Sequence, residues 1–125
     1  MNRIIISEDS SADDLASIAF CIHALTGGLP VTARSIKRPG IQVEDGEIKS
    51  KSYTGPLLEK AIAENKVIRG IPPAGTYQGI PVVVAPVNVD GKAIAAFGVV
   101  DTHGSMEIKT LMDQYEAIHK QVENR

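Results

Sequence analysis

The stretch Ile80-Pro81-Val82-Val83-Val84-Ala85-Pro86-Val87-Asn88-Val89-Asp90-Gly91-Lys92-Ala93-Ile94-Ala95-Ala96-Phe97-Gly98-Val99-Val100-Asp101 decides the fold. Two apolar runs, Pro81 to Val89 and Ala93 to Val100, flank Asp90-Gly91. That dipeptide suits a two-residue hairpin turn, where both central residues take positive φ. Such a turn pairs Asn88 with Ala93, Ala85 with Ala96 and Val83 with Gly98. The strands are apolar on both faces, so both faces are expected to be covered. Pro86 has no ladder donor and implies an edge position or a bulge. Gly98 implies that a helix or a ligand comes close to the backbone.

Working upstream, Val67 to Gly79 is a Gly/Pro-rich crossing that contains Arg69, Thr76 and Tyr77. It reads as an ordered loop with a short strand at Val67 to Gly70. Thr54-Gly55-Pro56 opens a helix, Pro being tolerated in a first turn. Leu58, Ala61 and Ile62 face inward, and the helix fades at Asn65-Lys66. Ile41 to Ser52 reads as a second hairpin around Asp45-Gly46. Ile41, Val43 and Ile48 share one face; Gln42, Glu44, Glu47, Lys49 and Lys51 share the other, which predicts a half-exposed hairpin. Val31 to Ile36 is a strand ended by Arg38-Pro39-Gly40.

The first helix starts at Ser11, with Asp13 and Asp14 in the first turn, and stops at Gly27-Gly28. Leu15, Ile18, Ala19, Ile22 and Leu25 recur at helical spacing. Ala16, Phe20 and Ala24 make it apolar nearly all round, so a second helix or a second subunit is expected beside it. Downstream of the main hairpin, Ile108, Leu111, Met112, Tyr115, Ile118 and Val122 form an apolar stripe in a helix expected from Ser105 to Glu123.

The order helix, strand, hairpin, helix, loop, hairpin, helix predicts a single α/β (α+β) domain over residues 1–125. Its antiparallel sheet of about five strands would be covered by helices. That order is similar to the profilin-like superfold of PAS, GAF and roadblock-type domains. The run Gly79 to Val87, Asp90-Gly91-Lys92 and Ala96 to Asp101 carries this likeness. The whole chain, most plainly Arg69 to Asp101, resembles an archaeal domain-of-unknown-function family found in methanogens. The resemblance implies an archaeal cytoplasmic protein and brings no activity with it.

Composition narrows the function classes. The 125 residues are 43% hydrophobic and only 4% aromatic, with no Trp, which argues against an aromatic cage or a base-stacking platform. A net charge of −2 supplies no field for nucleic acid. The single Cys21 has no intramolecular disulfide partner. The apolar run after Met-Asn-Arg is too short for a signal peptide, and no stretch approaches a membrane span. A soluble cytoplasmic protein without nucleic-acid or membrane partners is expected.

Cys21 and His23 lie about 200° apart on a helix, so they form neither a dyad nor a metal pair. A buried thiol and a flank histidine are expected instead. Arg34, Lys37 and Arg38 read as a solvated strand end. His119 reads as a packed histidine beside Tyr115. Asp101-Thr102-His103-Gly104 joins a strand end to a helix start, a setting that suits an anion or ligand. Asp101 and His103 alone are too few for a metal site. The Arg69 to Gly79 loop matches no phosphate-binding motif. As a lid it would suit a small anionic ligand; as a plain connector its Gly and Pro are equally natural.

The expected ligand-binding set is therefore Arg69, Thr76, Tyr77, Gly98, Asp101 and His103, with no catalytic residue, metal or cofactor assigned. A small-molecule-sensing module, acting as a homodimer, is the leading expectation. A protein interaction or dimerisation module is the alternative, and an enzyme using Asp101 and His103 ranks last.

Overall fold

A computed structural model describes residues 2–101. The closing helix expected over residues 105–123, with His103 and His119, lies outside the described residues. The elements are α1 (Ala12–Leu25), β1 (Val31–Ser35), β2 (Gly40–Glu44), β3 (Glu47–Tyr53), α2 (Pro56–Glu64), β4 (Ile68–Gly70), β5 (Val82–Val89) and β6 (Lys92–Val100). The six strands form one open antiparallel sheet in the order β3-β2-β1-β6-β5-β4.

Local chemistry sets the element ends. Ser11 caps α1 in a reciprocal capping box with Asp14: the Ser11 N–H donates to Asp14 Oδ2 at 2.9 Å, and the Asp14 N–H donates back to Ser11 Oγ. Both hairpin turns are tight two-residue turns with left-handed backbone, Asp45 at φ 53° with Gly46 at 75°, and Asp90 at 51° with Gly91 at 80°.

The main hairpin departs from the simple register. Asn88 pairs with Ala93 as expected, but Val87 pairs with Ala95, so Ile94 is an extra residue on β6. This bulge moves the partners of Ala85 and Val83 to Phe97 and Val99. Pro86 lies where β4 no longer flanks β5, because β4 pairs only with Val82 to Val84. Its missing donor is therefore not needed on that side.

The two helices cover opposite faces of the sheet. α1 packs on β1 and β2, where Ala12, Leu15 and Ala19 meet Val31, Ala33, Ile41 and Val43. α2 packs on β4, β5 and β6, where Leu58 and Ala61 meet Ile68, Val82, Val84, Ala96 and Val100. The pleat alternation runs through both groups: Val31, Ala33, Phe97 and Val99 face α1, whereas Thr32, Ala96, Gly98 and Val100 face α2.

Three local expectations are corrected. Cys21, expected to be buried, is exposed, and His23, expected on the flank, is buried instead, because the buried stripe of α1 is Ala12, Leu15, Ala19 and His23. Leu25, expected on the core stripe, is 80% exposed at the helix end. The β2–β3 hairpin is not uniformly half exposed: β2 is buried on both faces and β3 is largely exposed. The cause is position in the sheet. β2 lies inside, with α1 over one face and Tyr77 over Gln42 on the other, whereas β3 is the edge.

Candidate functional site

A narrow cleft opens on the α2 face. Its floor is Thr32, Val82, Val84, Gly98 and Val100 of the sheet, and its wall is Tyr53 and the first turn of α2. Pro72, Ala74 and Tyr77, from the connection between β4 and β5, form its roof. The free space inside is about 20 Å³, enough for about one water molecule.

The roof is held in an unusual way. From Ile71 to Ile80 only Pro72 and Tyr77 are buried. The connection's backbone bonds turn inward on itself: Gly79 N–H to Pro72 O, Gln78 N–H to Gly75 O and Ile80 N–H to Tyr77 O, all 3.0–3.2 Å. Gly75 and Gly79 have φ of 93° and 81°, so the compact turn depends on glycine there. Tyr77 ties this unit to the sheet. Its hydroxyl accepts from Gln42 Nε2 at 3.2 Å, and the same amide donates to Glu44 Oε2 at 2.8 Å. The Tyr77 ring lies 6.2 Å from that of Tyr53, tilted by 59°. Burial, foremost, pushes the Tyr77 phenol up to about 12, and burial also raises Tyr53.

Gly98 has a packing explanation. A Cβ built there would lie 2.5 Å from Val84 Cγ1, 3.1 Å from Thr32 Oγ1 and 3.5 Å from Leu58 Cδ2. The close approach expected at Gly98 is thus made by the cleft's own side chains, including one from α2.

The sheet separates Arg69 and Asp101 from this cleft. Arg69 pairs with Val83 and so points to the face opposite Tyr77. There its guanidinium Nη1 lies 3.5 Å from Asp101 Oδ2, at the sheet's end. Thr76 is exposed on the roof, and His103 lies outside the described residues. Tyr77 and Gly98 meet at one site, Arg69 and Asp101 at another. Thr32 and Tyr53 were not singled out by sequence; only the β1–β6 pairing brings Thr32 beside Gly98.

The basic residues near β1 are all engaged. Arg34 Nη1 donates to Thr54 Oγ1 at 2.6 Å and to Glu59 at 3.2 Å, joining β1 to the start of α2. Lys37 pairs with Glu8 and Arg38 with Asp9. Among the described residues no group of three or more His, Cys, Asp or Glu could hold a metal, and no helix is long and apolar enough to cross a membrane.

Residues 22–103 match the model of a family described as an uncharacterized protein conserved in archaea (DUF2111). An uncharacterized protein of Methanocaldococcus jannaschii is 43% identical over 98 residues, spanning 78% of this chain and 75% of that relative. The X-ray structure of free methionine-R-sulfoxide reductase from Neisseria meningitidis, in complex with its substrate, is similar with a TM-score of 0.45 at 16% identity. That likeness covers 74% of this chain and 63% of the reductase chain.

Proposed function

The chain belongs to the archaeal family DUF2111, and from that premise we propose that it is a small-molecule-sensing or regulatory module without catalysis. The cleft beneath the 71–80 connection is its site. One observation carries the proposal: the roof is internally bonded and rests on the domain through two buried side chains, Pro72 and Tyr77. Lifting it breaks few contacts and uncovers the apolar floor at Val82, Val84 and Val100. The closed cleft is filled to within about 20 Å³, so a ligand enters by displacing the roof and takes the place of Tyr77 or Pro72. Its apolar part would lie on the valines and its polar part near Gln42, Thr32 and the two tyrosines. Thr76, exposed on the roof, is left as a rim contact once the roof has moved, whereas Arg69 and Asp101, paired with each other on the other face of the sheet, take no part in this cleft.

The test is native mass spectrometry of the freshly purified chain followed by denaturing release, paired with NMR screening of a fragment collection. A stoichiometric released compound, or fragments that shift the amides of Thr32, Tyr77 and Gly98 together, supports the site. Absence of both outcomes removes it.

A second proposal, a homodimer or protein-interaction module, is favoured by exposed apolar residues around α1. Ile4 is 51% exposed, Ile5 61% and Leu25 80%. Sedimentation equilibrium tests it: a concentration-independent monomer of the full chain ends that reading.

A further inference from the structure

The face of the sheet that carries α1 is only half covered by the described residues. α1 lies over β1 and β2, and α2 lies on the other side. On the α1 side of β5 and β6 the pleat presents Val83, Ala85, Phe97 and Val99, paired as Val83–Val99 and Ala85–Phe97. Val83, Phe97 and Val99 are half-buried and Ala85 is exposed. Phe97 and Val99 already touch the α1 core group at their inner edge.

We infer that this face is the docking surface for this chain's own amphipathic segment, residues 105–123. Four independent features of the fold and the sequence agree on that occupant.

The first is spacing. In the order β2-β1-β6-β5, the β6–β5 seam lies two strands from the β1–β2 seam under α1. At about 4.8 Å per strand this is roughly 10 Å, close to the 8–10 Å at which packed helices lie side by side. The second is length. A helix over residues 105–123 would be roughly 28 Å long. The 8 residues of β5 and 9 of β6 extend about 27–31 Å.

The third is where the described chain ends. The Asp101 N–H donates to Pro81 O at 2.8 Å, so β6 is held to its last residue beside β5. By alternation Asp101 is on the same face as Val99 and Phe97. Thr102, His103 and Gly104 then suffice for a reversal, within the 2–6 residues common in such connections. The fourth is the apolar stripe Ile108, Leu111, Met112, Tyr115, Ile118 and Val122. One such stripe needs one apolar surface, and the valine–phenylalanine face is of matching chemistry. A second copy of the chain is the competing occupant.

The test uses the full chain. In uniformly labelled protein, nuclear Overhauser contacts are expected from the Phe97 ring and the Val83 and Val99 methyls to Leu111, Ile118 or Val122. An isotope-filtered mixture of labelled and unlabelled chains is expected to show none of them. Contacts that appear in the filtered mixture assign the face to a second copy and overturn the inference. So does the absence of any contact between this face and residues 105–123.

Cross-linking gives an independent reading in a Cys21→Ser background that carries Ala85→Cys. Intrachain disulfides are expected with Leu111→Cys, Met112→Cys or Tyr115→Cys at least about tenfold faster than with Lys109→Cys or Gln114→Cys, since only close Cα pairs can bridge. Equal rates for both sets refute the inference even where every variant folds.

Discussion

Replacing Gly98 by alanine probes the floor of the cleft with one methyl group. The new Cβ would sit 2.5 Å from Val84 Cγ1, about 1 Å inside the 3.5–4.0 Å at which carbon atoms pack best. Val84 is 3% exposed and β-branched, so it escapes only by leaving its rotamer or by shifting β5. Thr32 Oγ1 at 3.1 Å and Leu58 Cδ2 at 3.5 Å close the other directions. Overpacking of this kind costs about 1–3 kcal/mol. Loss of glycine's freedom in the unfolded chain returns about 0.4–1 kcal/mol.

The net expectation for Gly98→Ala is a destabilisation of about 1–2 kcal/mol, or a fall in Tm of about 4–10 °C for a chain of this size. Val84→Ala alone should cost about 1.5–3 kcal/mol, by loss of buried methyls and a residual cavity. The double variant should be less damaged than the sum by at least about 1 kcal/mol, because the new methyl fills space that the shortened side chain vacates. Urea denaturation followed by circular dichroism, with m-values compared across the four proteins, measures this coupling. If Gly98→Ala proves neutral, or the two single costs simply add, the close approach of Val84 to Gly98 is refuted.

Further predictions concern the pins that hold the elements together. His23 Nε2 accepts from the Gly46 N–H at 3.0 Å, and its Nδ1 lies 2.7 Å from Leu29 O; the ring thus bridges α1 to the β2–β3 turn as the neutral tautomer with its proton on Nδ1. His23→Ala should cost about 1–3 kcal/mol and speed hydrogen exchange at Gly46; unchanged exchange would contradict the bridge. Tyr77 is held up to about 12 by burial, above its ordinary 10, so the unfolded chain loses that proton first. Stability should therefore be intact below pH 10 and decline as pH rises towards 12, and Tyr77→Phe should flatten that limb in tyrosinate absorbance and denaturation series. Glu8 is held at about 2 by hydrogen bonding to Lys92 and Lys37 and by their charges. Its contribution should be present above about pH 4.5 and fade as pH falls towards 2; a carboxyl carbon titration by NMR should move back towards 4.5 in Lys37→Met/Lys92→Met, and less of a shift should survive in high salt.

Sequence alone determined the local geometry. Ser11 with Asp14, and the Asp45-Gly46 and Asp90-Gly91 turns, act through neighbours a few residues apart, so their chemistry is legible without knowing the fold. The apolar runs likewise located the strands of the main hairpin. Pro86 pointed to an edge position or a bulge, but the place of the extra residue was not legible, because Ile94 leaves the apolar pattern intact while it shifts every later partner. The candidate site was legible only in part, since Tyr77 and Gly98 were singled out for their residue types and not for their proximity.

Only the tertiary structure decided which residues meet. The pairing of β1 with β6 joins positions 60 to 68 residues apart, and it places Thr32 beside Gly98 and Arg34 beside Ala96. Whether β2 is an edge or an interior strand depends on that adjacency, which is why Gln42 could be read as exposed yet is 8% accessible beneath Tyr77. Arg69 and Tyr77 are near in sequence but on opposite sides of the sheet, because the pleat turned Arg69 one way and the connection carried Tyr77 the other. Periodicity specifies which residues of a segment share a side. Strand order and the placement of α1 and α2 on opposite faces come from long-range burial, which no single segment encodes.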